Sequence, residues 1–256
     1  MRSMQSIDFG YPWWLSYGHL AVLGVAGALL ALALALRWAG WVRVGLGVVA
    51  LWSLAAFGVM HFHFNVNAKA ELPTENFMRS GTGHVLDMGA GTGRSSIMVL
   101  EARPKATLVA SDLFGDSFDR HFGKEGSPQA RLEKNLKAAG VVDRATIATA
   151  DMRKLPFEAA SFDAVVSCYA MDHLSGGGSR QALQEAFRVL EPGGDFLLMV
   201  IANDGFVKFA FGPLLSHGGT RGAGWWTARA REAGFGVEEV GTPPATLYLL
   251  ARKPRR

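Results

Sequence analysis

Cysteine is almost missing from this chain: Cys168 is the single one in 256 residues. One thiol excludes an intramolecular disulfide and any cysteine-based metal cluster, and it fits a reducing, cytosol-facing location. Charge is missing over long stretches. Gly18 to Leu36 carries no charged residue, with His19 its one ionisable group, and Val44 to Met60 is uncharged throughout. No G-x-x-x-x-G-K-[ST] loop is present, which argues against a nucleoside triphosphate site. A dinucleotide fingerprint is missing too: counted from Gly89 and Gly91, the third glycine of G-x-G-x-x-G falls on Arg94. Lys and Arg outnumber Asp and Glu by 26 to 22, but they are scattered, and the first basic cluster is the tail Arg252-Lys253-Pro254-Arg255-Arg256. Nucleic acid is therefore not an expected partner, and anionic lipid headgroups suit such a tail better. His61 and His63 lack a third ligand, so no metal is expected.

What is abundant is apolar. The two uncharged runs each approach the roughly 20 residues a helix needs to cross hydrocarbon. A cleaved signal peptide would explain one run but not a second directly after it. Trp13, Trp14, Tyr17, Trp38, Trp41 and Trp52 include several at the ends of the runs, where interfacial aromatics sit. The short link from Arg37 to Arg43 predicts two antiparallel helices, about 18–37 and 42–62, within a membrane hairpin over 1–64. Gly27, Ala31 and Ala35 recur every fourth residue and predict the close-contact stripe, with homo-oligomer formation through the hairpin as a further expectation. A buried hairpin of a soluble protein is the alternative.

Residues 65–83 read as a polar linker with a short helix near Glu75 to Arg79, and 84–256 as one globular domain. Within that domain strand-like and helix-like segments alternate, which predicts a parallel sheet covered by helices on both faces. Strands are expected at 84–88, 106–111, 145–150, 162–168 and 194–201, and helices at about 94–103, 129–139, 179–190 and 225–233. The end differs: Phe235 to Val240 and Thr246 to Arg252 are joined by Gly241-Thr242-Pro243-Pro244, a link too short for a crossover helix. An antiparallel hairpin closes the sheet.

The first strand runs into Asp87-Met88-Gly89-Ala90-Gly91-Thr92-Gly93 and then a helix. Alternate glycines let the backbone turn tightly and approach a ligand closely. This stretch resembles the first motif of class I S-adenosylmethionine-dependent methyltransferases. So do the later signals: Asp112 ending the second strand, Asp151-Met152 ending the third, the run Leu155-Pro156-Phe157 to Val166, and the turn Leu190-Glu191-Pro192-Gly193-Gly194. Together they cover about 84 to 200 in the family's order. The resemblance implies a Rossmann-like α/β fold with S-adenosyl-L-methionine as cofactor. It places Asp87, Gly89, Gly91 and Gly93 at the amino-acid end of the cofactor, Asp112 on the ribose hydroxyls, Asp151 and Met152 at the adenine, and Cys168 at the strand end beside it. A sulfonium cation without phosphates suits a site lined by carboxylates.

Methyl transfer is an in-line displacement in which positioning alone supplies much of the acceleration, about 7–11 kcal/mol. No nucleophile need stand out. The resemblance sets Cys168-Tyr169-Ala170-Met171-Asp172-His173 beside the transferring methyl. His173 is the candidate general base, Asp172 its orienting group or an acceptor contact, and Tyr169 a hydrogen-bonding neighbour. Asp172 and His173 as the plain start of a helix is the competing reading. Leu113 to Pro128, with Phe114, Phe118, Phe122, Asp116, Asp119 and Arg120, reads as one acceptor wall. Asn203 to Gly224, with Phe206, Val207, Phe209, Phe211, Leu214 and Leu215, reads as another, unless both are core. The expected function is methylation of a lipophilic small molecule such as a quinone precursor, lipid or fatty acid, by a membrane-held enzyme with a cytoplasmic-facing domain. A small-thiol methyltransferase and a non-catalytic cofactor-binding membrane scaffold are the alternatives.

Overall fold

The computed structural model describes residues 6–63, 65–116, 118, 122, 127–211 and 221–255. The chain divides into two compact units. One comprises Tyr11–Ala68 with Gly205–Leu215, the other Met1–Gly10, Lys69–Asp204 and Ser216–Arg256. Of the described residues, 6–10 group with the α/β unit and 205–211 with the apolar helices.

The apolar unit is a pair of long helices, α1 (Trp13–Ala35) and α2 (Gly40–His63). Both are long and apolar enough to cross a membrane, and only 11% of each apolar window is buried. That openness separates them from core helices of a water-soluble domain, which hide their apolar faces. Leu36 to Ala39 reverse the chain, with Arg37 at φ 52°. The contact face is built from small residues, but not those expected. Ala26 and Ala33 are buried on α1, as are Ser53 and Ala56 on α2, whereas Gly27, Ala31 and Ala35 are exposed. A seam between two helices follows alternating three- and four-residue steps, and a strict four-residue row drifts off that face. A short helix, α6 (Gly205–Phe211), joins this unit, and its Phe209 carbonyl accepts the Trp52 indole N–H at 2.8 Å.

The α/β unit is a seven-stranded sheet with strands β1 (Thr82–Met88), β2 (Lys105–Asp112), β3 (Ala145–Thr149), β4 (Phe162–Cys168), β5 (Leu190–Ile201), β6 (Gly236–Gly241) and β7 (Thr246–Arg252). Their order is β3-β2-β1-β4-β5-β7-β6, with β7 antiparallel to both neighbours and the first five strands parallel. Helices α3 (Arg94–Ala102), α4 (Pro128–Ala138), α5 (Gly176–Val189) and α7 (Ala223–Glu232) complete the unit. β1 and β4 bury four consecutive residues at their inner ends, the mark of central strands covered on both faces. Order reverses between β1 and β4: β2 lies beyond β1 on one side and β5 beyond β4 on the other. Ligands bind at such a switch point, outside the carboxyl ends of the strands.

Two expectations are corrected. No helix forms at Glu75 to Arg79, which is a run of turns. The Arg103 guanidinium takes the Glu75 and Phe77 carbonyls, and Met78 sits at φ 48°, so the backbone does not continue as a helix. β5 begins at Leu190 rather than 194, because Gly193 donates its amide to Lys253 across the sheet at 2.8 Å.

Candidate active site

β1 ends at Met88, and the chain leaves the sheet through Gly89, Gly91 and Gly93 at φ +84°, +54° and +96°. All three are in the left-handed region that side chains resist. Space excludes a side chain at Gly89 and Gly93 as well. A Cβ on Gly89 would collide with Ala170 and lie 2.9 Å from the Met152 methyl, and one on Gly93 would lie 2.6 Å from Leu132. The Gly89 and Ala90 amides both donate to the Ser111 carbonyl, at 2.8 and 2.9 Å. The turn is thus fastened to the end of β2.

Three carboxylates converge on the carboxyl ends of β1, β2 and β3, and each is differently employed. Asp87 is fully buried, and its Oδ2 accepts the Ser95 and Ser96 hydroxyls at 2.7 and 2.6 Å. Its Oδ1 is buried with no hydrogen-bond partner. Burial pushes its pKa up to about 6 from 3.8, against the lowering effect of the two serines, with the nearby Asp112 charge adding to the rise. Asp112 accepts the Gly91 amide on Oδ2 and the Phe114 amide on Oδ1, each at 2.9 Å. Each of its oxygens keeps a lone pair for a further donor. Asp151 meets the Arg153 guanidinium at 2.6–3.1 Å, which holds its carboxyl below the usual carboxylate range. A ligand amino group at Asp151 would share it with Arg153.

The end of β4 holds the remaining candidates. Cys168 is partly buried, and desolvation followed by the negative Asp87 raises its thiol well above the ordinary value, with Arg94 opposing. It is a neutral thiol near pH 7, which suits packing rather than nucleophilic attack. Tyr169 stands at φ 53°, its hydroxyl 2.7 Å from Thr246 Oγ1 and the Arg94 guanidinium 5.9 Å from its ring centre. Asp172 accepts the Ile201 amide on Oδ2 at 3.3 Å, while its Oδ1 is buried and unpartnered. His173 is exposed at the end of the 3-10 turn Met171–His173. Among the described residues no group of three or more His, Cys, Asp or Glu has metal-site geometry.

A sequence-family comparison matches residues 85–194 to the family described as "Methyltransferase domain". Over that span, less than half of the chain, the sequence is similar to a methyltransferase domain. The matched span holds every candidate cofactor and catalytic residue from Asp87 to His173. A ubiquinone/menaquinone biosynthesis C-methyltransferase of Bartonella henselae is 37% identical over 120 residues, 46% of this chain and 41% of that protein. A demethylmenaquinone methyltransferase of Deinococcus radiodurans is 30% identical over 115 residues, 45% and 42% of the two chains. The matched part of this chain spans less than half the length of these curated relatives. An O-methyltransferase family protein of Burkholderia thailandensis shares the fold at TM-score 0.55 and 16% identity, covering 95% of this chain and 70% of that one.

The methyltransferase domain fits a sulfonium cofactor on its own geometry. The unpartnered Asp87 Oδ1 offers an acceptor to an ammonium group, the space over Gly89 is closed to any side chain, and the lining is acidic. The aromatic residues expected as the first acceptor wall lie at this edge. Phe122 lies 3.2 Å from a Cβ position on Gly91, and Phe118 and Phe114 extend the aromatic row at 4.8 and 5.8 Å between ring centres. The first expected acceptor wall therefore touches the glycine turn; Asp119 and Arg120 lie outside the described residues, as do Leu214 and Leu215 of the second. Asn135 is fully buried on the α4 face of Leu132 and Leu136. A polar residue inside an apolar stripe was the available signal.

Proposed function

We propose that this protein is a membrane-held S-adenosylmethionine-dependent methyltransferase acting on a lipophilic small molecule of the quinone-precursor class. The observation that carries the reading is Asp87. It is a buried carboxylate with one oxygen unpaired, at the head of a turn whose Gly89 and Gly93 have no room for a side chain. Such a group is costly unless a cation completes it.

In this reading Asp87 and the Gly89 to Gly93 backbone hold the amino-acid end of the cofactor, Asp112 the ribose, and Asp151 with Met152 the adenine. When bound, S-adenosylmethionine supplies a methyl on positive sulfur and departs as the neutral thioether. His173 takes the proton that the acceptor loses, and Asp172 and Tyr169 contact the acceptor. The acceptor class is supported by the names of the relatives, which refer to ubiquinone and menaquinone biosynthesis and to demethylmenaquinone. The membrane is supported by the two open apolar helices. Residues 6–10 and Lys69–Asp204 belong to the same unit, so a single crossing would separate them. In this reading both helices cross together, and the cytosolic supply of the cofactor is what favours a cytoplasmic-facing domain.

The test uses the full chain in detergent with cofactor labelled on its methyl. Label is expected in the quinone fraction of a membrane extract from cells lacking quinone methylation. Label in a thiol fraction would replace this reading with soft-nucleophile methylation. Tight cofactor binding without transfer into any fraction would make the protein a cofactor-binding scaffold.

A further inference from the structure

The segment ahead of the first apolar helix is docked on the glycine turn. Phe9 is 1% exposed. Its carbonyl accepts the Thr92 hydroxyl at 2.9 Å. Asp8 is gripped by the Asn135 carboxamide: its amide donates to Asn135 Oδ1 at 3.0 Å, and its carbonyl accepts Asn135 Nδ2 at 2.8 Å. The second Nδ2 hydrogen goes to the Thr92 carbonyl at 2.9 Å. Asn135 thus spends both donors and its oxygen joining the segment to the turn, and Thr92 is held by its hydroxyl and its carbonyl together. Asp8 Oδ1 accepts the Gly10 amide at 2.8 Å, and Gly10 turns at φ +70° against the Arg131 guanidinium, where a side chain would collide.

Thr92 lies between Gly91 and Gly93, both at positive φ. A turn flanked by glycines on both sides has many accessible conformations, and folding it into one carries a large entropy cost. Fixing the middle residue from outside selects a single shape before any ligand arrives, which raises affinity through preorganisation. We propose that residues 7–10 form a strap that holds the Gly91-Thr92-Gly93 turn in its cofactor-binding shape, with Phe9, Thr92 and Asn135 as positioning residues. The inference rests on the reading that this turn holds the amino-acid end of S-adenosylmethionine. It has a direct consequence for dissection of the chain: a fragment starting at the linker lacks the strap and binds cofactor weakly, whatever its solubility.

The test titrates the full chain in detergent with two ligands, S-adenosylhomocysteine and 5′-methylthioadenosine, the second lacking the amino-acid part. Thr92→Val, which removes one hydrogen bond, should lose about 3- to 10-fold in affinity for S-adenosylhomocysteine, and Phe9→Ala, which removes the buried ring that seats the strap, should lose about as much. Affinity for methylthioadenosine should hold, and Thr92→Ser, which keeps the hydroxyl, should bind both as wild type. Equal losses for the two ligands would mean general loosening and overturn the proposal, as would no loss for either. A wild-type chain that binds no S-adenosylhomocysteine would instead overturn the cofactor reading itself.

Discussion

The Asp112 carboxylate accepts the Gly91 amide at 2.9 Å across a separation of 21 residues, tying the end of β2 to the turn that follows β1. One side chain therefore shapes the glycine turn, and in the proposed reading it also holds the cofactor ribose. Asp112→Ala should weaken S-adenosylhomocysteine binding about 10- to 150-fold, the equivalent of about 1.5–3 kcal/mol for a charge-assisted hydrogen bond. Calorimetric titration measures this directly. Wild-type affinity in the variant, or binding of a nicotinamide dinucleotide by the native chain, would refute the assignment.

Asp87 makes cofactor affinity depend on pH. Burial raises its folded pKa to about 6 from 3.8, so the folded state favours the protonated form. The stability this group contributes is fully present below pH 3.8 and is lost as pH rises through about 6. A bound ammonium or sulfonium reverses the preference by stabilising the carboxylate. Cofactor affinity should then climb across this interval and level off above it, with one proton released on binding inside it. Titration in buffers of different ionisation enthalpy counts that proton. Asp87→Asn should bind more weakly and show a flat profile; an unchanged slope would assign the pH dependence to another group.

His173 is the candidate base, and its exposure at the end of the 3-10 turn leaves it accessible to an acceptor. His173→Ala should lower turnover by about 10²- to 10⁴-fold, the usual range for general base catalysis. S-adenosylhomocysteine affinity should not change, and the deficit should shrink as pH rises and the acceptor ionises unaided. Near-normal turnover at every pH would leave positioning as the whole mechanism, with Asp172 and Tyr169 as acceptor contacts only.

The apolar helices should resist extraction. Membranes washed with alkaline carbonate should retain the full chain in the pellet, because two helices with 11% of their apolar windows buried have nowhere else to place that surface. Release into the supernatant would refute the spanning arrangement.

Much of this architecture was written locally. The alternation of strand and helix, the closing hairpin around Gly241 to Pro244 and the glycine turn all depend on periodicity or on φ values that neighbouring residues dictate, and the strands appear within a few residues of their expected places. Asp87, Asp112 and Asp151 were legible because each sits at a fixed offset from a strand end. Other features have no local signature. Gly27, Ala31 and Ala35 formed a plausible stripe, but which face of α1 meets α2 depends on the partner helix. The turns at Glu75 to Arg79 are set by Arg103, which draws off their carbonyls from outside the segment. The strap joins residues 83 and 127 positions apart. No periodic pattern encodes such a pairing, because Phe9 becomes buried and Asn135 becomes satisfied only when the folded sheet carries α4 and the glycine turn to the same place.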